Sequence, residues 1–94
     1  MSSDRVVRAW VIRGRVQGVG FRWHAVRTAR ELGLVGRVWN RGDGSVELHA
    51  SGPEASVELL ERWLAHGPAA ASVERVEAVP PGTAATEPGF KALL

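Results

Sequence analysis

The sequence predicts an α+β fold in which two helices cover one face of a mainly antiparallel sheet. Runs rich in β-branched and aromatic residues alternate with two segments of helical spacing, and a Gly-Asp-Gly turn joins two neighbouring strand-like runs. The resulting element order is βαββαβ, which is typical of the ferredoxin-like sandwich. This fold supports many functions, so the function has to be argued from particular residues.

The first strand and the first helix lie on either side of a glycine-rich stretch. Residues 6–12 are rich in β-branched and aromatic side chains, as a strand requires, and residues 23–32 carry apolar residues at helical spacing. We expect this helix to end at Gly33 in the left-handed conformation, with Leu34 folding back as the accompanying apolar contact.

A hairpin follows the first helix. Residues 35–41 form a strand-like run, residues 42–44 are a turn signal, and residues 45–50 alternate polar with apolar positions. A half-buried return strand shows this alternation, so we expect the two runs to pair.

The second helix and one further strand complete the predicted order, and a tail follows them. Pro53 is expected near the first helical position, and residues 66–68 end the helix. Its apolar stripe comprises Val57, Leu60 and Leu64, flanked by Leu59 and Trp63. Residues 72–79 form the next strand, residues 80–82 break it, and a Thr/Ala loop leads to residues 89–94, where we expect a short or frayed edge strand.

Size and composition restrict the possible classes of protein. A chain of 94 residues makes one domain, 1–94, with its core at about 6–90. It contains no cysteine, which excludes disulfides, a thiol nucleophile and thiolate metal ligands. The start has no apolar signal region and no run approaches membrane-spanning length. We therefore expect a cytoplasmic monomer that does not act at a membrane.

The charge pattern does not favour nucleic-acid binding. The net charge is only +2, and eleven of the twelve basic residues are arginine, which keeps the isoelectric point high. The basic residues are scattered among glutamates instead of forming a basic run. We expect no nucleic-acid partner.

The glycine-rich stretch between the first strand and the first helix has the composition of a phosphate-binding loop. Glycines at positions 14, 18 and 20 allow backbone N–H groups to converge, and the following helix begins where they point. Arg22 adds a forked cation suited to phosphate oxygens. Neither common nucleotide-binding motif is present, and glycine-rich turns are frequent, so the glycines alone leave an ordinary turn as an alternative.

Two motifs together resemble the acylphosphatase family. They are Gly14-Arg15-Val16-Gln17-Gly18-Val19-Gly20-Phe21-Arg22 and Gly36-Arg37-Val38-Trp39-Asn40-Arg41-Gly42-Asp43-Gly44-Ser45-Val46-Glu47. The resemblance implies a ferredoxin-like fold, no cofactor and hydrolysis of carboxyl–phosphate anhydrides. It further implies that Arg22 binds the phosphoryl group and that Asn40 holds the attacking water. The backbone of the loop would surround the phosphate, and its residues are Val16, Gln17, Gly18, Val19, Gly20 and Phe21.

The residue types agree with this chemistry. A carboxylate is a good leaving group, so the reaction needs positioning and charge neutralisation more than a strong acid. The loop contains no nucleophilic side chain, which favours direct attack by water. We interpret the Gln17 side chain as a brace for the loop and His24 as a packing or surface residue. Nothing pairs His49 with His66, so no metal site is expected.

The sequence has two unusual local features, and it leaves two alternative functions open. The usual Gly-Trp-Val-Arg-Asn order of the second motif is here Gly-Arg-Val-Trp-Asn, which we interpret as an exchange between the faces of the strand. The tryptophans are expected mostly in the core, with Trp39 as the exception. The alternatives are a non-catalytic module that binds RNA or another anion, and a domain separated from a larger carbamoyl-transfer enzyme. We favour a free-standing enzyme.

Overall fold

Five strands and two helices build the structure, a computed structural model that describes residues 4–82 and 89–93. In chain order the elements are β1 (Arg5–Arg15), α1 (Phe21–Glu31), β2 (Val35–Asn40), β3 (Val46–Pro53), α2 (Glu54–Leu64), β4 (Ser72–Val79) and β5 (Phe90–Ala92). The strand order is β4-β1-β3-β2-β5, with α1 packed on β2 and β5 and α2 packed on β3 and β1. The predicted ferredoxin-like α+β fold is confirmed.

All strand pairs but one are antiparallel. β1 pairs with β3 and β4, β2 pairs with β3, and only β5 runs parallel to its neighbour β2. The core lies between the sheet and the helices, where Trp10, Ile12 and Leu48 meet the buried stripe of each helix. Those stripes are Phe21, Ala25 and Ala29 on α1, and Val57, Leu60 and Leu64 on α2.

The ends of several elements differ from the sequence prediction. β1 continues to Arg15 because its pairing with β4 resumes after an irregularity between Arg13 and Gly14. Gly33 has the predicted left-handed conformation, φ +72°, and the amide of the buried Leu34 donates to the Ala29 carbonyl at 3.0 Å. Pro53 is not the first helical residue. It ends β3 and precedes α2 in an extended conformation, with ψ 138°.

The predicted edge strand near the C-terminus forms over three residues. Phe90 is fully buried, the Gly36 amide donates to the Gly89 carbonyl at 3.1 Å, and the Leu93 amide donates to the Val38 carbonyl at 2.8 Å. These contacts hold β5 beside β2. Leu94, the Thr/Ala loop over 83–88 and residues 1–3 lie outside the described residues.

Two sequence predictions are wrong: the place of Trp23 in the core and the exchange of Arg37 and Trp39 between the faces of the strand. Trp23 is 61% exposed on α1, so it is not a core residue. Arg37 and Trp39 are two residues apart on β2 and therefore share one face, which means that the exchange moves them along that face. Trp39 is half-buried there and lies against His49, with 5.1 Å between the ring centroids.

Within the described part of the chain, no helix has the length and apolar character needed to cross a membrane.

Candidate active site

A pocket of about 320 Å³ opens where the start of α1 meets the ends of β2 and β5. It is lined by Val16, Gly18, Gly20, Phe21, Arg22, Trp23, Asn40, Ala92 and Leu93. Of the predicted site residues, Arg22, Asn40 and four loop residues therefore lie around one cavity. Gln17 and Val19 do not line it, and the part predicted for their backbone amides stays a prediction.

The loop before α1 turns on two glycines. Gly18 and Gly20 have φ +75° and +76°, a region that other residues adopt only with strain, and Gly20 is the cap residue of the helix. The first helical hydrogen bond runs from the His24 amide to the Gly20 carbonyl at 3.1 Å. The amides of residues 21–23 therefore precede the helical ladder, as the first amides of any helix do.

The positive end of α1 has no acidic residue within its own first turn. The helix start also has no hydrogen bond from a side-chain cap. Peptide dipoles leave a partial positive charge at a helix N-terminus, and the Arg22 guanidinium lies in the same first turn. The start of α1 thus combines amides that have no partner within the helix with a full positive charge, which suits a phosphate group.

Arg22 is held by the residue that follows β5. Its Nη1 donates to the backbone carbonyl of Leu93 at 2.8 Å. Another arginine of the same helix, Arg30, donates from Nε to the Phe90 carbonyl at 3.1 Å. Because one guanidinium carries five N–H donors, the bond to Leu93 orients Arg22 and leaves further donors for a ligand.

Asn40 and the glycine loop are joined through Gln17. Asn40 is the last residue of β2, and its exposed side chain borders the pocket. The Gln17 Nε2 donates to the carbonyls of Arg41 and Ser45, at 2.8 and 2.9 Å. These two carbonyls belong to the turn that directly follows Asn40. The side chain of Gln17 therefore fixes the loop relative to the end of β2.

The same turn is closed by Asp43. Its Oδ1 accepts from the hydroxyl and the amide of Ser45, a buried polar residue, and its Oδ2 accepts from Arg13 at 3.2 Å. The hydrogen bond from the Ser45 hydroxyl, and after it the one from the Ser45 amide, hold the pKa of the Asp43 carboxyl well below its usual range. Asp43 is therefore ionised at neutral pH and stabilises the turn that presents Asn40.

The histidines lie away from this arrangement. His24 packs edge-on against Trp23, with 4.8 Å between the ring centroids, and does not line the pocket. His49 Nε2 lies 2.7 Å from Glu47 Oε2 on the face of the sheet opposite the helices. Among residues 4–82 and 89–93, no three His, Asp or Glu side chains come together as a metal site requires.

Three residues that line the pocket were not predicted as site residues: Trp23, Ala92 and Leu93. For Trp23 a signal was present, because it directly follows Arg22 on a helix that begins at the pocket. For Ala92 and Leu93 there was none beyond the weak strand pattern, since their place depends on the parallel pairing of β5 with β2.

Comparison with known proteins identifies the family. The acylphosphatase family model matches residues 8–92. An acylphosphatase of Nitrobacter hamburgensis is 52% identical over 77 residues, which cover 82% of this chain and 78% of that protein. The chain belongs to the acylphosphatase family and is an enzyme of that class.

Solved structures agree with this assignment. The acylphosphatase from Bacillus subtilis superposes with a TM-score of 0.86 at 30% identity, covering 94% of this chain and 98% of the other. An acylphosphatase from Coxiella burnetii gives a TM-score of 0.84 at 34% identity, with coverage of 96% and 94%. The similarity thus extends through both helices and the whole sheet.

Proposed function

We propose that the protein hydrolyses acyl phosphates in the pocket between α1, β2 and β5. The loop over 16–22 and the Arg22 guanidinium hold the phosphoryl group, and Asn40 orients the attacking water. The observation that supports this proposal is that Arg22 and Asn40, which come from different elements, border one cavity together with the glycine loop. All these groups belong to one chain, so we also propose that one domain, acting as a monomer, is sufficient.

The proposed step is a direct displacement at phosphorus. The water oxygen forms a bond to phosphorus while the bond from phosphorus to the acyl oxygen breaks, and its electron pair leaves with the carboxylate. The proton from water passes to a phosphate oxygen, which gives carboxylate and inorganic phosphate. Negative charge on the equatorial oxygens is met by the guanidinium of Arg22 and by loop amides.

Water is the nucleophile in this proposal because the loop offers no other. Residues 14–22 contain no serine, threonine, cysteine, histidine or acidic side chain that could form a phosphoenzyme. The Asn40 side chain carries both a hydrogen-bond donor and an acceptor, so it can fix the direction of the water without taking its proton. Stable carboxylate leaving groups do not need an acid, whereas alkoxides do.

The test is an assay with acetyl phosphate in the presence of EDTA, alongside an alkyl phosphate monoester such as glycerol phosphate, whose leaving group is a poor alkoxide. We expect the acyl phosphate to be hydrolysed with chelator present and the monoester to react much more slowly, because none of the described residues that line the pocket can protonate an alkoxide. Activity that disappears with EDTA and returns with a divalent ion would contradict the proposal.

A further inference from the structure

Large apolar side chains at the surface are concentrated at this pocket. Among the described residues three are prominently exposed: Trp23 at 61%, Leu59 at 49% and Leu93 at 41%. Two of them, Trp23 and Leu93, line the pocket, and Leu59 lies on α2. An exposed tryptophan costs favourable burial, so its presence at a cavity rim indicates a ligand surface.

The pocket has a polar end and an apolar end. Arg22, Asn40 and the glycines provide the polar groups, and the other described lining residues are apolar. Within that apolar part Val16 and Phe21 are each 1% exposed and belong to the core, so they form the floor. Trp23 and Leu93 stand at the rim, where the non-phosphate part of a substrate has to leave the pocket.

The Trp23 indole packs against two neighbours on α1. The guanidinium carbon of Arg27, one turn along α1, lies 5.7 Å from the centre of the ring. The His24 ring packs edge-on at 4.8 Å. Arg27 is itself paired with Glu31, at 3.5 Å from Nε to Oε1. An aromatic ring fixed by neighbours loses little conformational freedom when another group packs on it.

We propose that Trp23, together with Leu93, forms the wall against which the acyl group of the substrate packs, and that Trp23 selects aromatic and other bulky apolar acyl phosphates over acetyl phosphate. This inference rests on the proposed function, since an acyl group reaches this wall only if its phosphate occupies the glycine loop. Trp23 is a specificity-determining residue in this proposal and takes no part in the chemical step.

The experiment compares benzoyl phosphate with acetyl phosphate for the wild type, Trp23→Ala and Trp23→Phe. We expect the ratio of kcat/KM for benzoyl over acetyl phosphate to fall about tenfold in Trp23→Ala and less than about threefold in Trp23→Phe, which keeps a ring. The loss should appear in KM for benzoyl phosphate more than in kcat, because stacking on the acyl group is similar in the ground and transition states.

Leu59→Ala is the matched control, because it also removes an exposed apolar side chain but lies away from the pocket. It should leave the ratio at the wild-type value. A Trp23→Ala ratio within about twofold of the wild type overturns the specificity role, and so does an equal fall in Leu59→Ala. If the wild type hydrolyses neither compound, the proposed function itself fails, and the two failures are thereby distinguished.

Discussion

The two helices of this protein begin in opposite ways. Each has 11 residues, each follows a strand of the same sheet, and neither start is capped by a side chain. α1 begins after the glycine loop, has no acid in its first turn and borders the pocket. α2 begins directly after β3, with Pro53 as its cap residue and Glu54 in its first turn.

At the start of α2, by contrast, an amide and the positive helix end have partners within the chain itself; we call this a closed helix start. The Glu54 amide donates to the Asp4 carbonyl at 2.9 Å, and the Glu54 carboxylate pairs with Arg8 at 3.3 Å. The partial positive charge of this helix end therefore has an internal carboxylate beside it. A helix start is suited to an anion where the chain leaves its amides open, and a nearby cation strengthens the attraction; this is the role that we propose for the glycines and Arg22 at α1.

The largest expected effect comes from removing the fork of the cation at α1. Arg22→Lys keeps the charge but loses the planar donor pair, so we expect kcat/KM for acetyl phosphate to fall on the order of 10³-fold and the affinity for inorganic phosphate to fall as well. Arg62→Lys, in the last turn of α2, is the control and should retain full activity. Wild-type rates from folded Arg22→Lys protein would show that Arg22 is not the phosphate ligand.

The second test asks whether the start of α1 supports the reaction without the Asn40 side chain at the end of β2. Asn40→Ala should lower kcat by about 10²-fold, because the water loses its orientation. Competitive inhibition by inorganic phosphate, which we propose binds the same loop, should change much less. Turnover and inhibition are measured on the same preparation. A collapse of phosphate affinity together with kcat would mean that Asn40 shapes the phosphate site instead of holding water.

The difference between the two helix starts could be predicted from the sequence, because each start is determined by residues that are neighbours along the chain. Glycines at 18 and 20 before an apolar stripe indicate an open loop, and a proline followed by an acid indicates a conventional helix start. The pairing of Arg22 with Asn40 came only from the resemblance to a family. Nothing in local spacing says that the end of β2 lies beside the start of α1.

The part of the pocket formed by Ala92 and Leu93 could not be predicted from the sequence. β5 has three residues, and its position depends on parallel pairing with β2 and on burial of Phe90, which are contacts distant in sequence. The exposure of Trp23, by contrast, was predictable. It lies two residues before Ala25 in the buried stripe, which is about 200° around the helix axis.

The third prediction separates the glycine conformation from the phosphate site. Gly18 and Gly33 have nearly equal angles, φ +75° and +72°, and a Cβ at either position would meet open space. Alanine at either position should therefore lower the free energy of unfolding by about 1 kcal/mol through backbone strain. Only Gly18→Ala should lower kcat/KM, by about tenfold, because it moves amides of the loop.

Denaturant unfolding and acetyl phosphate kinetics on both glycine variants provide the measurement. Equal destabilisation with activity lost only in Gly18→Ala supports a loop built around the ligand. Equal loss of activity in Gly33→Ala would show that the rate follows general stability. The loop before α1 would then have no particular role in the reaction.

The smallest effect is expected at the closed helix start. Glu54→Gln removes the carboxylate that faces the positive end of α2 and its exposed pair with Arg8, so we expect a loss of about 0.5 kcal/mol in the free energy of unfolding. Activity should not change. Glu58→Gln, one turn further along α2, should cost less, because the effect of the helix dipole is confined to the first turn.

Salt provides the check on this last prediction. The difference between Glu54→Gln and the wild type should shrink in about 1 M NaCl, where exposed charges are screened within about 3 Å. If Glu54→Gln and Glu58→Gln destabilise the protein equally, the carboxylate does not compensate the helix end. The contrast between the two starts would then rest on the glycine loop and Arg22 alone, since the acid would contribute nothing to closing α2.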